Sequence, residues 1–178
     1  MKFTIRQLIN TPLALGLMFL LSSCGAQTET QVNETDKVLS YGAVTTDGYM
    51  AMAQGYFLLK DALVASNVEE AKIGAIKIVK ALSGMEIDDV ISAIREDAEH
   101  IEGTNELSHQ RDHFNSLSDN IYEVLSREDS QVSTVYKQHC PMAREGNGAN
   151  WLSLSSEIRN PYFGDKMLKC GSVTESLK

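Results

Sequence analysis

Apolar residues recur every three or four positions between residues 49 and 125, the spacing that places them on one face of a helix. Short polar breaks divide this stretch into four runs, and each run predicts one amphipathic helix. The predicted inward faces are Tyr49, Met52, Tyr56, Leu59 and Leu63; Val68, Ala71, Ala75, Val79 and Leu82; Ile87, Val90, Ile91, Ile94, Ala98 and Ile101; and Leu107, Phe114, Leu117, Ile121, Val124 and Leu125. Four helices with short connections pack best as an antiparallel bundle.

Local residue choices mark where the predicted helices begin and end. Asn67 followed by Glu70 has the pattern of a capping box at the start of the second helix. Gly84 suits the end of that helix, and Gly103 interrupts the third apolar run. These signals favour four separate helices over one or two long ones.

The pattern changes after about residue 130. A short strand is predicted from Val132 to His139-Cys140, and glycine, asparagine and proline predict turns at 146–148 and 160–161. The sequence therefore predicts a mainly α protein: a four-helix antiparallel bundle with an irregular, partly β C-terminal appendage.

The N-terminal segment has the features of a bacterial lipoprotein signal peptide. Lys2 and Arg6 precede an apolar stretch over residues 13–21, which is shorter than a membrane-spanning helix and has the length of a signal-peptide core. The sequence Leu21-Ser22-Ser23-Cys24 resembles the lipobox, whose cysteine is acylated and becomes the new N-terminus. An ordinary secretory signal with an incidental cysteine is the alternative.

The lipobox divides the chain into three predicted parts: a signal peptide over 1–23, a lipidated N-terminus and flexible tether over 24–45, and a helical domain with its tail over 46–178. Acyl chains on Cys24 would anchor the protein, because each buried CH₂ group contributes about 0.8 kcal/mol. We therefore expect a lipid-anchored protein of the bacterial cell envelope that faces the periplasm, on the outer membrane in preference to the inner.

Composition fits a folded domain and disfavours nucleic acid as a partner. Apolar residues make up 43% and charged residues 22% of the chain, a globular balance. The formal net charge is -8, whereas nucleic-acid binding needs clustered lysine and arginine. The sequence contains no glycine-rich phosphate loop, nucleophile elbow or haem attachment motif. We therefore expect a binding or interaction protein and not an enzyme.

Two sulfur-bearing motifs stand at the two ends of the tail. The first is C-x-M at Cys140 and Met142, and the second is M-x-x-C at Met167 and Cys170. Thiolate and thioether sulfur are soft ligands that select Cu(I), and by the same chemistry Ag(I). His139, beside the first cysteine, could add an imidazole. One interpretation of the tail is therefore a Cu(I) or Ag(I) site.

The same cysteines also suit a disulfide. If Cys24 is acylated, Cys140 and Cys170 are the two thiols left in an oxidising compartment. A bond between them would close a loop of about 30 residues and contribute about 3–4 kcal/mol. Spacing alone favours this interpretation, with Met142 and Met167 as ordinary core residues. A reactive or redox-switched thiol is a third interpretation.

The other histidines give weaker metal candidates. His109 and His113 share a helix face at a spacing used in metal sites, but the H-E-x-x-H glutamate is missing. Hydrogen bonding is the favoured role, with His113 an auxiliary ligand if the tail packs against it. His100 ends a helix, where a cation suits the helix dipole, and is expected to do no more. Glu96-Asp97 is expected on a solvated face.

Several segments together resemble a known bacterial family. They are Cys140–Ala143, Trp151–Ser153, Ile158–Gly164 and Met167–Gly171 in the tail, with Tyr56–Leu63 and Gln110–Phe114 upstream. They are similar to a domain-of-unknown-function family. It occurs as stand-alone lipoproteins and as the C-terminal extension of periplasmic adaptor subunits of copper/silver efflux (RND-type) pumps. The resemblance covers roughly residues 50–177.

The resemblance implies heavy-metal handling in the periplasm, with Cys140, Met142, Met167 and Cys170 as the expected ligands. It therefore favours the soft-metal interpretation over the disulfide. We expect an envelope lipoprotein that binds Cu(I) or Ag(I) and buffers it or hands it to an efflux system. Its partner would be a periplasmic efflux adaptor or another envelope protein.

The alternative is a structural or interaction lipoprotein without metal, held by a Cys140–Cys170 disulfide. In that case the exposed parts of Trp151, Tyr162 and Phe163 would contact a partner protein, because aromatic residues are enriched at interfaces.

Overall fold

The computed structural model describes residues 48–127 and 134–177. Within these ranges lie four α-helices and three β-strands: α1 (Gly48–Val64), α2 (Val68–Leu82), α3 (Asp89–Gly103), α4 (Leu107–Leu125), β1 (Val135–Cys140), β2 (Ala149–Ser153) and β3 (Ser172–Leu177). None of the helices in this part of the chain is long and apolar enough to cross a membrane. The predicted signal peptide, the tether and Cys24 fall outside the described residues.

The four helices pack antiparallel and a small antiparallel sheet follows them, which confirms the predicted mainly α fold. Most of the predicted inward-facing residues are buried or pack against the core. Two of them differ, because Val68 is only partly buried and Ile87 has 66% of its surface exposed; Ile87 lies outside α3. It was wrongly assigned to a helix face, because α3 begins only after Asp88.

Side-chain caps explain where two of the helices start. At α2, the Glu70 amide donates to Asn67 Oδ1 at 3.1 Å, and Asn67 Nδ2 donates to the Glu70 carboxylate at 3.3 Å. At α3, the Ile91 amide donates to Asp88 Oδ1 at 2.7 Å. Each cap satisfies an amide that has no partner within the helix. The predicted N-cap at Asn67 is confirmed, but the return bond of a capping box differs, because Glu70 accepts from the Asn67 side chain while the Asn67 backbone amide donates to the Ala62 carbonyl.

Two glycines allow α1 and α2 to approach closely. A Cβ atom on Gly74 would lie 2.6 Å from the backbone nitrogen of Leu59, and one on Gly55 would lie 2.9 Å from that of Ile78. These separations are shorter than carbon and nitrogen tolerate, so no larger residue fits without moving a helix backbone. The close pair forms one wall of the core.

The strands form one antiparallel sheet in the order β2-β1-β3. His139 pairs with Asn150 on one side and with Ser172 on the other. The pairing with β3 shifts between Lys137 and Gln138, which leaves Thr174 as an extra residue on β3. Strand β3 is an edge strand in this order, and most of its side chains are exposed.

A chain of hydrogen bonds joins the sheet to the bundle. The Leu152 amide donates to the Tyr56 hydroxyl at 2.9 Å, and that oxygen lies 2.8 Å from Ser118 Oγ. Ser118 Oγ in turn donates to the Phe114 carbonyl at 2.7 Å, so Tyr56 donates to Ser118. Burial raises the pKa of Tyr56 well above its usual range, which keeps the phenol neutral in this chain.

Candidate metal centre

The candidate site lies where α3 turns into α4. Helix α3 ends at Gly103, and α4 begins at Leu107 after three connecting residues. The Glu106 amide donates to Thr104 Oγ1 at 3.1 Å, which tightens this connection. Because the two helices are antiparallel, the last turn of α3 lies beside the first turns of α4.

Side chains of α2 and α4 fix this corner. Gln110 is fully buried, and its Nε2 donates to the carbonyls of Ile101 at 3.3 Å and Val68 at 3.2 Å. Lys72 Nζ, from α2, donates to Asn105 Oδ1 in the connection. The start of α4 is therefore held against the end of α3 and the start of α2.

Three histidines meet at this corner. His100 comes from the last turn of α3, and His109 and His113 come from the first turns of α4. One ligand nitrogen from each lies within 4.8 Å of the other two. The His100 and His113 rings stack with centroids 4.3 Å apart and planes 4° apart, and the His109 centroid is 4.7 Å from that of His113.

This histidine cluster could hold a metal ion. Imidazole nitrogen is a good ligand for zinc, copper, nickel and iron. At metal–nitrogen distances of about 2.0–2.1 Å, tetrahedral ligands lie about 3.3 Å from one another. Ligation therefore needs the nitrogens to close in from 4.8 Å, and the exposed side chains of His100 and His109 have room to rotate.

A carboxylate lies behind the cluster. Asp97 Oδ1 is 2.8 Å from His113 Nδ1, and Asp97 is only 9% exposed. The expectation that Asp97 lies on a solvated face is therefore wrong, although Glu96 beside it is exposed. Because His113 Nδ1 is engaged by Asp97, Nε2 is the nitrogen left for a metal ion.

A surface cleft of about 310 Å³ adjoins the cluster. Its lining residues are Glu96, Glu99, His100, Gly103, Thr104 and His109. The two glutamates add negative charge beside the imidazoles, and this favours a cation in the cleft.

The structure brings the two tail cysteines together. Their Sγ atoms lie 2.8 Å apart, with Cys140 buried and Cys170 partly exposed. Contact with Cys140, aided by partial burial, raises the pKa of the Cys170 thiol. This shift favours the neutral thiol at Cys170.

The other predicted ligands of the sulfur site, Met142, Met167 and His139, differ in exposure and in the face of the sheet on which they lie. Met142 is 56% exposed at the turn after β1. Met167 is partly buried, and its carbonyl accepts the Cys170 amide at 3.0 Å. His139 Nδ1 lies 2.9 Å from Asn150 Oδ1, and its side chain is on the opposite face of β1 from the neighbouring Cys140.

Asn160 holds the chain that leads to Cys170. It is fully buried, its Oδ1 accepts the amides of Tyr162 and Phe163, and its Nδ2 donates to the Cys170 carbonyl at 2.7 Å. Of the three aromatic residues predicted to form a contact patch, Trp151 is fully buried and Tyr162 is 8% exposed, whereas Phe163 is partly exposed. These residues build the core under the sheet.

The sequence pattern indicated His113 as an auxiliary ligand and His109 as a weak metal candidate with hydrogen bonding the favoured role, and it gave no metal role to His100. A signal was present, because three of the four histidines of the chain lie between positions 100 and 113, around a helix break. A short break between antiparallel helices places the residues just before it beside those just after it. Residue spacing along a single helix does not show that His100 on α3 lies beside His109 and His113 on α4.

Residues 52–132 match the family model described as "Protein of unknown function (DUF3347)", and this segment is a DUF3347 domain. The matched range starts within α1 and includes all of α2, α3 and α4, and therefore the three histidines. Cys140 and Cys170 lie beyond it. No curated protein and no solved structure matched the chain.

Proposed function

We propose that this chain is a lipid-anchored envelope protein whose DUF3347 domain binds a heavy-metal ion through His100, His109 and His113. The observation that supports the proposal is the approach of three imidazole ligand atoms to within 4.8 Å of one another. Three imidazoles suit a borderline transition-metal ion such as copper, zinc or nickel. The acidic cleft beside them supports the same preference.

The exposure of the cluster supports a role in exchange. Structural metal sites are closed and four-coordinate, whereas three protein ligands leave one position open to another donor. His100 and His109 are exposed at the end of a helical hairpin, where a partner has access. We therefore propose that the domain buffers the ion in the envelope or hands it to an efflux system, as the family resemblance implies.

Titration of the purified full-length chain in detergent with Zn²⁺, Cu²⁺ and Ni²⁺ tests the proposal. We expect saturable binding of one ion, and a loss of at least about tenfold in affinity when two of the three histidines are replaced, because the remaining imidazole cannot chelate. The variant is His100→Ala with His109→Ala, both at exposed positions. His139→Ala is the matched control, since it removes the fourth histidine, which lies on β1.

Equal affinity of the parent and the double variant would refute the histidine site. A loss in the His139 control as large as that in the double variant would also refute it, because the binding would then not depend on the cluster.

The second candidate is a Cu(I) or Ag(I) site at Cys140 and Cys170, with Met142 and Met167 as thioether ligands. The placement of the two cysteine side chains side by side supports it, and their Sγ atoms, 2.8 Å apart, would separate to about 3.8 Å around an ion held at about 2.3 Å from each. Thiolates favour Cu(I) over harder cations. This second site would bind under reducing conditions, when both thiols are free.

Titration with Cu(I) against a chromophoric chelator, with reductant present, tests the second candidate. We expect Cys140→Ser and Cys170→Ser each to lower the Cu(I) affinity, and the exposed Met142→Leu to lower it less. If both serine variants retain the parent affinity, the cysteines are not ligands.

A further inference from the structure

Asp97 joins α3 to the half-buried histidine of the cluster. It lies one turn before His100 on α3 and reaches His113 on α4, with 2.8 Å between Oδ1 and Nδ1. Its side chain is 12% exposed, and that of His113 is 24% exposed. The pair is therefore shielded, whereas His100 and His109 stand at the surface.

We infer that Asp97 is a positioning residue of the proposed metal site, an inference that rests on the proposed function. A carboxylate only accepts hydrogen bonds, so Nδ1 of His113 carries the hydrogen between them. The neutral ring then has its lone pair on Nε2, the nitrogen that remains for the ion. Metal-binding histidines commonly donate their second nitrogen to a carboxylate in this way.

The bond also fixes the plane of the ring. His113 stacks on His100 with ring centroids 4.3 Å apart and planes 4° apart. In the metal-free domain, a flip of the His113 ring would break both the bond to Asp97 and the stacking on His100. When His100 rotates to bind an ion it leaves the stack, so the bond to Asp97 is the contact that keeps His113 as the preset ligand.

Other carboxylates near the site provide the control for charge. Glu96 and Glu99 line the cleft and are exposed, and Glu96 is the neighbour of Asp97 on α3. Glu96→Gln and Asp97→Asn each remove one negative charge near the site, but the charge of the exposed Glu96 is more strongly screened by solvent. The tautomer of His113 therefore separates positioning from charge, because the bond to Asp97 selects the nitrogen that carries hydrogen.

The experiment compares Asp97→Asn, Glu96→Gln and the parent as full-length chains. Nitrogen-15 NMR of the metal-free imidazoles reports which His113 nitrogen carries hydrogen, and calorimetry reports Zn²⁺ affinity. We expect the parent to show the Nδ1–H form. The asparagine amide can donate to Nδ1, so Asp97→Asn should shift His113 toward the Nε2–H form and weaken Zn²⁺ binding by about 10- to 100-fold. Glu96→Gln should weaken it by about threefold or less.

Circular dichroism establishes that each variant is folded, and Asp97→Glu, which keeps a carboxylate, should restore part of the Nδ1–H form. An Asp97→Asn protein that binds Zn²⁺ with the affinity of the parent would overturn the inference. If the variant with both His100→Ala and His109→Ala still lost Zn²⁺ affinity, the proposed function would stand. Weaker binding without a change of tautomer would also overturn the inference, because the effect would then be one of charge. Parent-level binding by the histidine variant would instead refute the proposed function.

Discussion

The sulfur atoms of Cys140 and Cys170 lie 2.8 Å apart although 30 positions separate them in the chain. Cys140 ends β1, and Cys170 lies just before the start of β3. Strand β3 is at the edge of the sheet and buries few of its side chains. A covalent link at this point would therefore stabilise the part of the domain that has the least burial to hold it.

We predict that oxidised glutathione converts the two thiols into a disulfide. The thiols give up two protons and two electrons, and one glutathione disulfide becomes two glutathione thiols. Closing this loop should raise the free energy of unfolding by about 3–4 kcal/mol. Urea unfolding with and without dithiothreitol measures the gain, and mass spectrometry identifies the cross-linked peptides.

Cys170→Ser is the control for this prediction, because its stability should not respond to the reductant. If both thiols of the parent remain open to alkylation after equilibration with oxidised glutathione, the prediction is wrong.

Replacing Gly74, even by alanine, is predicted to destabilise the fold. In an open helix alanine is more stable than glycine by about 1 kcal/mol. A Cβ at this position would lie 2.6 Å from the Leu59 nitrogen and 2.8 Å from its Cα, so α1 would have to move. We expect Gly74→Ala to lower the free energy of unfolding by about 1–3 kcal/mol.

Urea unfolding followed by circular dichroism measures this loss. Gly84→Ala is the matched control, since a Cβ there meets nothing within 4 Å. A Gly74→Ala protein as stable as the parent would mean that the helices are not in close contact.

The helical half could be predicted because its signals are local. Apolar spacing located all four helices, and the Asn67 cap was visible as a short motif. The docking of the sheet was not visible, because it depends on pairs such as Leu152 and Tyr56, which are 96 positions apart. Periodicity along one segment carries no information on which distant segment completes a hydrogen bond.

The candidate site was only partly predictable for the same reason. Spacing identified Cys140 and Cys170 as a pair, but their approach in space depends on the buried side chain of Asn160, which hydrogen-bonds the Cys170 carbonyl. The histidine cluster depends on a helix reversal that places His100 beside His109. Asp97 reads as a surface residue in the sequence, and only the neighbouring helix buries it.

Acid sensitivity is predicted at the start of α3. The Ile91 amide, and after it Arg127, hold the pKa of the Asp88 carboxyl below its usual value. A carboxyl with a lowered pKa in the folded state stabilises the fold above its unfolded pKa of about 3.9, and the contribution is lost as the pH falls below that value. The melting temperature should therefore fall in this acid range.

Asp88→Asn isolates this contribution, because asparagine caps a helix as well as aspartate but does not titrate. We expect a shallower fall of melting temperature below about pH 4 in Asp88→Asn than in the parent. Asp89→Asn controls for the removal of one charge from the same turn. Parallel curves for the parent and Asp88→Asn would contradict the prediction.

Gln110 is predicted to matter more for metal binding than for stability. Its Nε2 donates to the Ile101 and Val68 carbonyls, but its Oε1 is buried without a hydrogen-bond partner among the described residues. Gln110→Leu leaves the Ile101 and Val68 carbonyls without this donor but also removes a buried unsatisfied oxygen, so we expect the free energy of unfolding to fall by only about 1 kcal/mol.

In Gln110→Leu the start of α4 is no longer held to the end of α3, so His109 and His113 can shift relative to His100. We expect Zn²⁺ affinity to fall by about tenfold, the lower end for changes outside the ligand set. Asn120→Leu, a partly buried position toward the other end of α4, should leave the affinity unchanged. Calorimetric titration of both variants decides the matter, because equal affinity in Gln110→Leu and the parent would show that the corner does not depend on this side chain.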